Sequence, residues 1–295
     1  MEKSVYEKEA LIEIHEWKNP RITWFDSALE KINYPLAKAG ELVLDAPLIG
    51  DVLQKTVKGI IEIASDVAHF SVRPDSIYTE FSSRGVQKVR KLEDIYNLDL
   101  CEVDKAIGFL AAKYKGLALA EGVTTGAAGL PGIPVDICAL ITLNLRAIGE
   151  YATYCGFDIT TQHERLFAMN VLSFSSSPTD ASKQVAMSQL VKIAEEVAKK
   201  RAWNELEKSA FVKIIQAIAK AIGVRLTKAK LAQIIPVAGA IIGGGFNSYF
   251  TSKVCDAAYF LYRERFLARK YGVEIIDEAV KPAEDFKTGY NEEGI

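Results

Sequence analysis

Residues 234–250 read IIPVAGAIIGGGFNSYF, an apolar stretch with one proline, three consecutive glycines and no charge. Three readings compete for it. It is a phosphate-cradling loop, a membrane span, or a buried helix that another backbone approaches closely. A phosphate loop of the GxxxxGK[ST] kind needs a lysine for the phosphates and a hydroxyl for the magnesium ion. Neither GAIIGGGF nor the second glycine-rich stretch, EGVTTGAAGLPGIP at 121–134, supplies them, and GxGxxG is absent from both. The membrane reading has more behind it. The uncharged window between Lys230 and Lys253, if wholly helical, is roughly 33 Å long at ~1.5 Å per residue, the thickness of a bilayer core. Against it, Gln233, Asn247, Ser248, Thr251 and Ser252 fall inside the window, and Pro236 interrupts it. The truly apolar run is only Ile234–Phe246, short for a span. Lysines and arginines flank it on both sides without bias.

The reading adopted is a buried helix pair. An interior glycine costs a helix about 1 kcal/mol relative to alanine, so a cluster of them needs close packing in return. Gly122 and Gly126, and Gly239 and Gly243, have the small-xxx-small spacing that lets backbones touch. The predicted partners are therefore 234–250 and the stretch from Gly122 to Leu143.

Working outward, helical periodicity dominates and no strand pattern persists. Residues 2–18 form an acidic amphipathic helix, with Tyr6, Ala10, Ile14 and Trp17 on one face and a stop at Asn19-Pro20. Helical stretches follow at 24–44 (bent or broken near Pro35), 48–69 and 88–97. Asp99 caps a helix that runs on through CEVDKAIGFLAAKYKGLALAEGV, and Gly156 closes one predicted over 135–154. Thr161 and Glu164 have capping-box spacing for a helix at 162–174. A loop at 173–180 precedes helices at 181–201 and 204–222, and the last helix ends at Tyr271-Gly272. The fold class is all-α. One multi-helix domain covers 1–272, and 273–295 is an acidic, partly disordered tail with seven acids against two lysines.

The chain has 295 residues, is 49% hydrophobic and carries a net charge of −2. That excludes wholesale disorder and gives no bulk case for nucleic acid. Cys101, Cys138, Cys155 and Cys255 are widely spaced and form no CxxC, so they read as small hydrophobes. The charged N-terminal helix is no secretory signal, and a cytoplasmic location is expected. His15, His69 and His163 form no HExxH, and no GxSxG elbow is present. No metal, cofactor or catalytic residue is assigned.

The polar residues inside the apolar stretches carry what chemistry there is. Asp136 and Asn144 stand eight residues apart, on roughly one helix face. Arg146 and Glu150 are an i, i+4 pair, and Glu121 opens the glycine stretch. On a functional reading Glu121, Asp136, Asn144 and Arg146 line a polar site, with Asn247 opposite. On the structural one Asp136 caps its helix, Asn144 cross-links helices and Arg146–Glu150 is an ordinary pair. Separately, residues 182–230 hold eleven Lys and Arg against four Glu. Lys213, Lys220, Arg225 and Lys228 lie beside an apolar stripe there, the pattern of a helix that docks on an anionic membrane surface. No aromatics are interleaved as single-stranded nucleic acid would want.

Three segments, YEKEALIEIHEWKNP, EGVTTGAAGLPGIPVDICALITLNLRAIGEYATYCGFD and LTKAKLAQIIPVAGAIIGGGFNSYFTSKVCDAAYFLYRERFLARKYG, occur in this order. By them the chain resembles the bacterial EcsC protein family over about residues 6–272. The resemblance implies an accessory role, since the family's namesake is encoded beside the components of an ABC transporter linked to secretion. It implies no catalytic residue. The expectation is a non-enzymatic protein, peripheral to the inner membrane face, whose partners are anionic lipid and ABC transporter components. The alternative is a hydrolase acting on a lipid or other amphiphile around Asp136, Asn144 and Arg146.

Overall fold

A computed structural model describes residues 2–19, 47–70, 72–86, 89–125, 129–177, 180–198, 208–234 and 244–278. All regular structure among them is helical. Helix α1 (Val5–Lys18) begins with a capping box: the Glu7 amide donates to Ser4 Oγ and the Ser4 amide returns to Glu7 Oε2. It stops at Asn19, as the proline beyond requires. Then come α2 (Pro47–Ser65), a 3-10 turn (Val67–Phe70), α3 (Pro74–Ser83) and α4 (Leu92–Ile95). Helix α3 starts at Pro74, a tolerated first-turn position.

Asp99 does cap α5 (Leu100–Ile107), with Glu102 completing the box. The long helix expected there is broken, however. Gly108 adopts φ 50°, ends α5, and lets α6 (Leu110–Thr125) leave in a new direction. Helix α7 (Gly129–Tyr154) begins earlier than expected, absorbing Pro131 and Pro134. Gly156 closes it with φ 80°. Helix α8 (Gln162–Ser175) has Thr161 at its N-cap, but Thr161 makes no capping bond from its side chain. The predicted capping box is absent: the Thr161 hydroxyl and amide both donate to the Asp158 carbonyl, and Glu164 is engaged by Arg265. Helix α9 (Asp180–Ala198) is followed by α10 (Lys208–Ile234), which runs twelve residues past the expected end. Last come α11 (Gly244–Tyr271), ended at Gly272, and the short α12 (Glu274–Glu278), whose Ile275 and Ile276 are buried. The tail beyond it, like the stretch at 24–44, lies outside the described residues.

Two helix pairs organise the core, α6 with α11 and α2 with α10, and α7 touches all four. Among the described residues α7 alone is long and apolar enough to cross a bilayer, yet 56% of that window is buried against other helices. Just over half of that window is therefore packed on protein, while Leu130 and Val135 in its first turns are exposed.

The expected glycine-rich pair falls largely on residues that are not described. Gly126, Gly239 and Gly243 lie outside the described residues, and the most extensive partner of α11 is α6. Among the described residues, close backbone approaches occur at isolated glycines. A Cβ on Gly223 of α10 would stand 2.9 Å from Val57 Cγ2 of α2. One on Gly149 of α7 would stand 3.1 Å from the Phe70 carbonyl. Neither belongs to a small-xxx-small repeat that sequence spacing singled out.

Candidate functional site: a buried polar knot at the start of α11

Asn247, in the first turns of α11, is fully buried. An amide there must find partners or lose ~1–3 kcal/mol per unsatisfied group, and it finds three. Its Nδ2 donates to Glu121 Oε2 of α6 at 2.7 Å and to Asp136 Oδ1 of α7 at 3.0 Å. Its Oδ1 accepts from Lys230 Nζ of α10. Lys230 also pairs directly with Asp136 Oδ2 at 2.5 Å, and its ammonium lies 5.0 Å from the centre of the Phe246 ring. Four helices are thus tied at one amide. Asp136 and Lys230 are 4% and 6% exposed, while Glu121 sits at the edge, half-buried.

Three residues singled out in the sequence, Glu121, Asp136 and Asn247, are therefore brought together. Asp136 is not a cap, because α7 begins seven residues before it. Asn144 lies two turns further along α7 and ties it to α11 separately. Its Nδ2 donates to Thr251 Oγ1 at 3.1 Å and to the Leu140 carbonyl, while its buried Oδ1 has no partner. Arg146 does not join them. It is 62% exposed and stands 3.9 Å from Glu150, a carboxylate already held by Lys113 Nζ and by the Tyr114 hydroxyl, each at 2.8 Å.

The missed member is Lys230, which in the sequence figures only as a basic flank of the uncharged window. Nothing local marks it, since its partner is 94 positions away (230 − 136). The basic face also thins on inspection. Lys213 and Lys220 are exposed. The Arg225 guanidinium instead donates from Nη1 to the Ser173 carbonyl and Ser177 Oγ at the end of α8, both at 3.1 Å. Lys228 is half-buried and partnered.

A second set of buried charges, missed entirely, occupies the other end of α11. Arg265 makes a bidentate pair with Glu164 and lies over the rings of Phe157 and Phe167 at 4.2 and 4.1 Å. Arg263 reaches Asp104 at 3.0 Å and Glu13 at 2.9 Å, and the Tyr6 hydroxyl donates to Asp104. Lys18 pairs with Glu264 and Lys270 with Glu7. Burial raises the Asp104 and Glu264 carboxyls above their ordinary values, against the pull of Arg263 and Lys18.

Chemically, the knot holds helices together. Asp136 pairs through Oδ2 with Lys230 and accepts at Oδ1 from Asn247, so both of its oxygens are engaged with protein. Burial also pushes the Cys255 thiol up to about 12, away from thiolate chemistry. Among the described residues no cluster of three or more His, Cys, Asp or Glu is arranged to hold a metal.

The sequence model of the EcsC protein family matches residues 8–267. Two Bacillus subtilis (strain 168) proteins are similar. YdbA, described as uncharacterized, is 23% identical over 261 residues, covering 86% of this chain and 90% of YdbA. Protein EcsC is 24% identical over 193 residues, covering 65% of this chain and 76% of that protein. No solved structure matches.

Proposed function

Because the chain belongs to the EcsC protein family, we propose that it is a non-enzymatic accessory protein, peripheral to the inner membrane face and working beside ABC transporter or secretion components. One observation carries the membrane part. Leu117, Leu119, Leu130, Val135 and Tyr249 are all large, apolar and between 38% and 67% exposed. Each lies within two helical turns of Glu121, Asp136 or Asn247 along its own helix. Glu121 and Asp136 meet at Asn247, so the exposed residues lie on the helix segments that carry the knot, and we read them as one rim. Apolar groups gathered in this way, rather than scattered, mark a surface that meets something. Lys253 extends over the Tyr249 ring at 4.7 Å, the tyrosine–lysine combination suited to a headgroup layer. The exposed Lys213 and Lys220 add attraction for anionic lipid of about 1 kcal/mol each.

The reading gives the apolar rim the larger share and the basic face the smaller. Purified protein should co-sediment with anionic vesicles and, more weakly, with neutral ones. The triple variant Leu119→Gln/Val135→Gln/Tyr249→Gln alters only exposed side chains and should keep the fold. Losing ~1 kcal/mol of burial per residue, it should bind on the order of 100-fold more weakly. Sedimentation of this variant at the wild-type level would refute the rim.

A further inference from the structure

A groove of about 580 Å³ runs between α2 and α10, away from the knot residues. We infer that it receives the single acyl chain of an anionic amphiphile. Leu53, Val57 and Ile61 stand at i, i+4 and i+8 on α2 and face Val224 of α10 across the groove, all four half-buried. The close approach at Gly223 brings α10 onto Val57 and closes the floor. From Gly50 to Glu62 the lining covers twelve helical rises, about 18 Å. One acyl chain spans half of a ~30 Å bilayer core, about 15 Å. The volume falls within the ~300–1,000 Å³ range of small-molecule sites.

The rim supplies the sign of the headgroup. Lys58 stands 3.9 Å from Glu62, so those two charges offset one another. Lys220, at the opposite wall, has no ion-pair or hydrogen-bond partner among the described residues. A lone ammonium at the lip of an apolar trough favours an anion and disfavours a cation on the same tail. This goes beyond docking by the rim and survives its failure, since the test contains no bilayer.

Titration calorimetry of the full chain with dodecanoate, dodecyltrimethylammonium and dodecyl maltoside, each below its micellar concentration, tests the assignment. Dodecanoate should bind saturably with one site, and the cationic amphiphile at least tenfold more weakly. Lys220→Glu should reverse that order. Gly50→Leu should weaken all three at least tenfold without lowering the melting temperature, because a Cβ at Gly50 meets nothing within 4 Å. Unchanged dodecanoate binding in either variant overturns the assignment. So does the absence of saturable binding by any of the three, which would leave an apolar helix of a partner protein as the occupant to seek.

Discussion

In its first turns α11 presents one amide, Asn247, to a lysine and two carboxylates from three other helices. In its last three turns it presents Arg263, Glu264, Arg265 and Lys270, each paired directly with a charge from elsewhere in the chain. The far end is closed. The guanidinium of Arg265 has aromatic rings against it and a bidentate carboxylate in plane, and both members of that pair are 1% exposed. The near end is less enclosed, with a half-buried Glu121 and with exposed leucine, valine and tyrosine side chains on the same helix segments. Buried ion pairs add little net stability, because desolvation offsets their attraction, but removing one member is costly. The far end therefore fixes how α1, α5 and α8 sit on α11. The near end ties four helices on segments that also carry exposed apolar side chains.

The sharpest way to break this contrast is Glu164→Ala. It leaves the Arg265 charge among Phe157, Phe167 and Tyr262 with no counterion. A loss of ~3–5 kcal/mol is expected, a fall on the order of ten degrees in melting temperature for a chain of this size. The double replacement Glu164→Leu/Arg265→Met should recover most of it in urea denaturation. If the single variant melts like wild type, the far end is not the clamp described.

Asp136→Asn comes second and should cost less, ~1–3 kcal/mol. Lys230 keeps its bond to Asn247 and, through it, the neighbourhood of Glu121, which water can also reach. A loss equal to that of Glu164→Ala would erase the difference between the ends and make the knot a second clamp.

The two ends were also unequally legible in the sequence. Short-range signals transferred well: Asn19-Pro20 ends α1, Asp99 caps α5, and Gly156 and Gly272 close their helices. Glu121, Asp136 and Asn247 stood out because each is a polar residue in an otherwise apolar stretch. The far end gave no such signal. In YFLYRERFLARKY, charged and aromatic residues alternate so closely that no single face reads as buried. The partners of Arg263 and Arg265 lie 101 to 250 positions away. The Thr161–Glu164 capping box is lost partly to the same distance effect: Arg265 engages Glu164 from 101 positions away, while Thr161 donates to the Asp158 carbonyl. Lys230 was hidden for the same reason, because its pairing with Asp136 is a fact of the fold and not of the spacing.

The smallest expected effect separates the ends by pH. His163 adjoins the far-end network, with Nε2 3.6 Å from Glu164 Oε1, and no histidine contributes to the knot. Burial lowers its folded-state value below the ordinary histidine range, opposed by Glu164 and Asp158 and reinforced by the positive charges of Arg265 and Arg269. The unfolded chain takes up this proton near pH ~6.5, whereas the folded chain takes it up only at lower pH. Between those values the unfolded state binds more protons, so this contribution to stability is present above pH ~6.5 and declines as the pH falls. Asp104 and Glu264, whose folded values are raised, act in the opposite sense above their ordinary values: their contribution declines as the pH rises. The wild-type profile alone therefore mixes the two signs. The difference between wild type and His163→Gln isolates the histidine. Urea denaturation at pH 8 and at pH 5.5 should show a larger loss of stability on acidification in the wild type than in the variant. Equal losses would mean that the proton on His163 is indifferent to folding, and that the far end draws its acid response from its carboxylates alone.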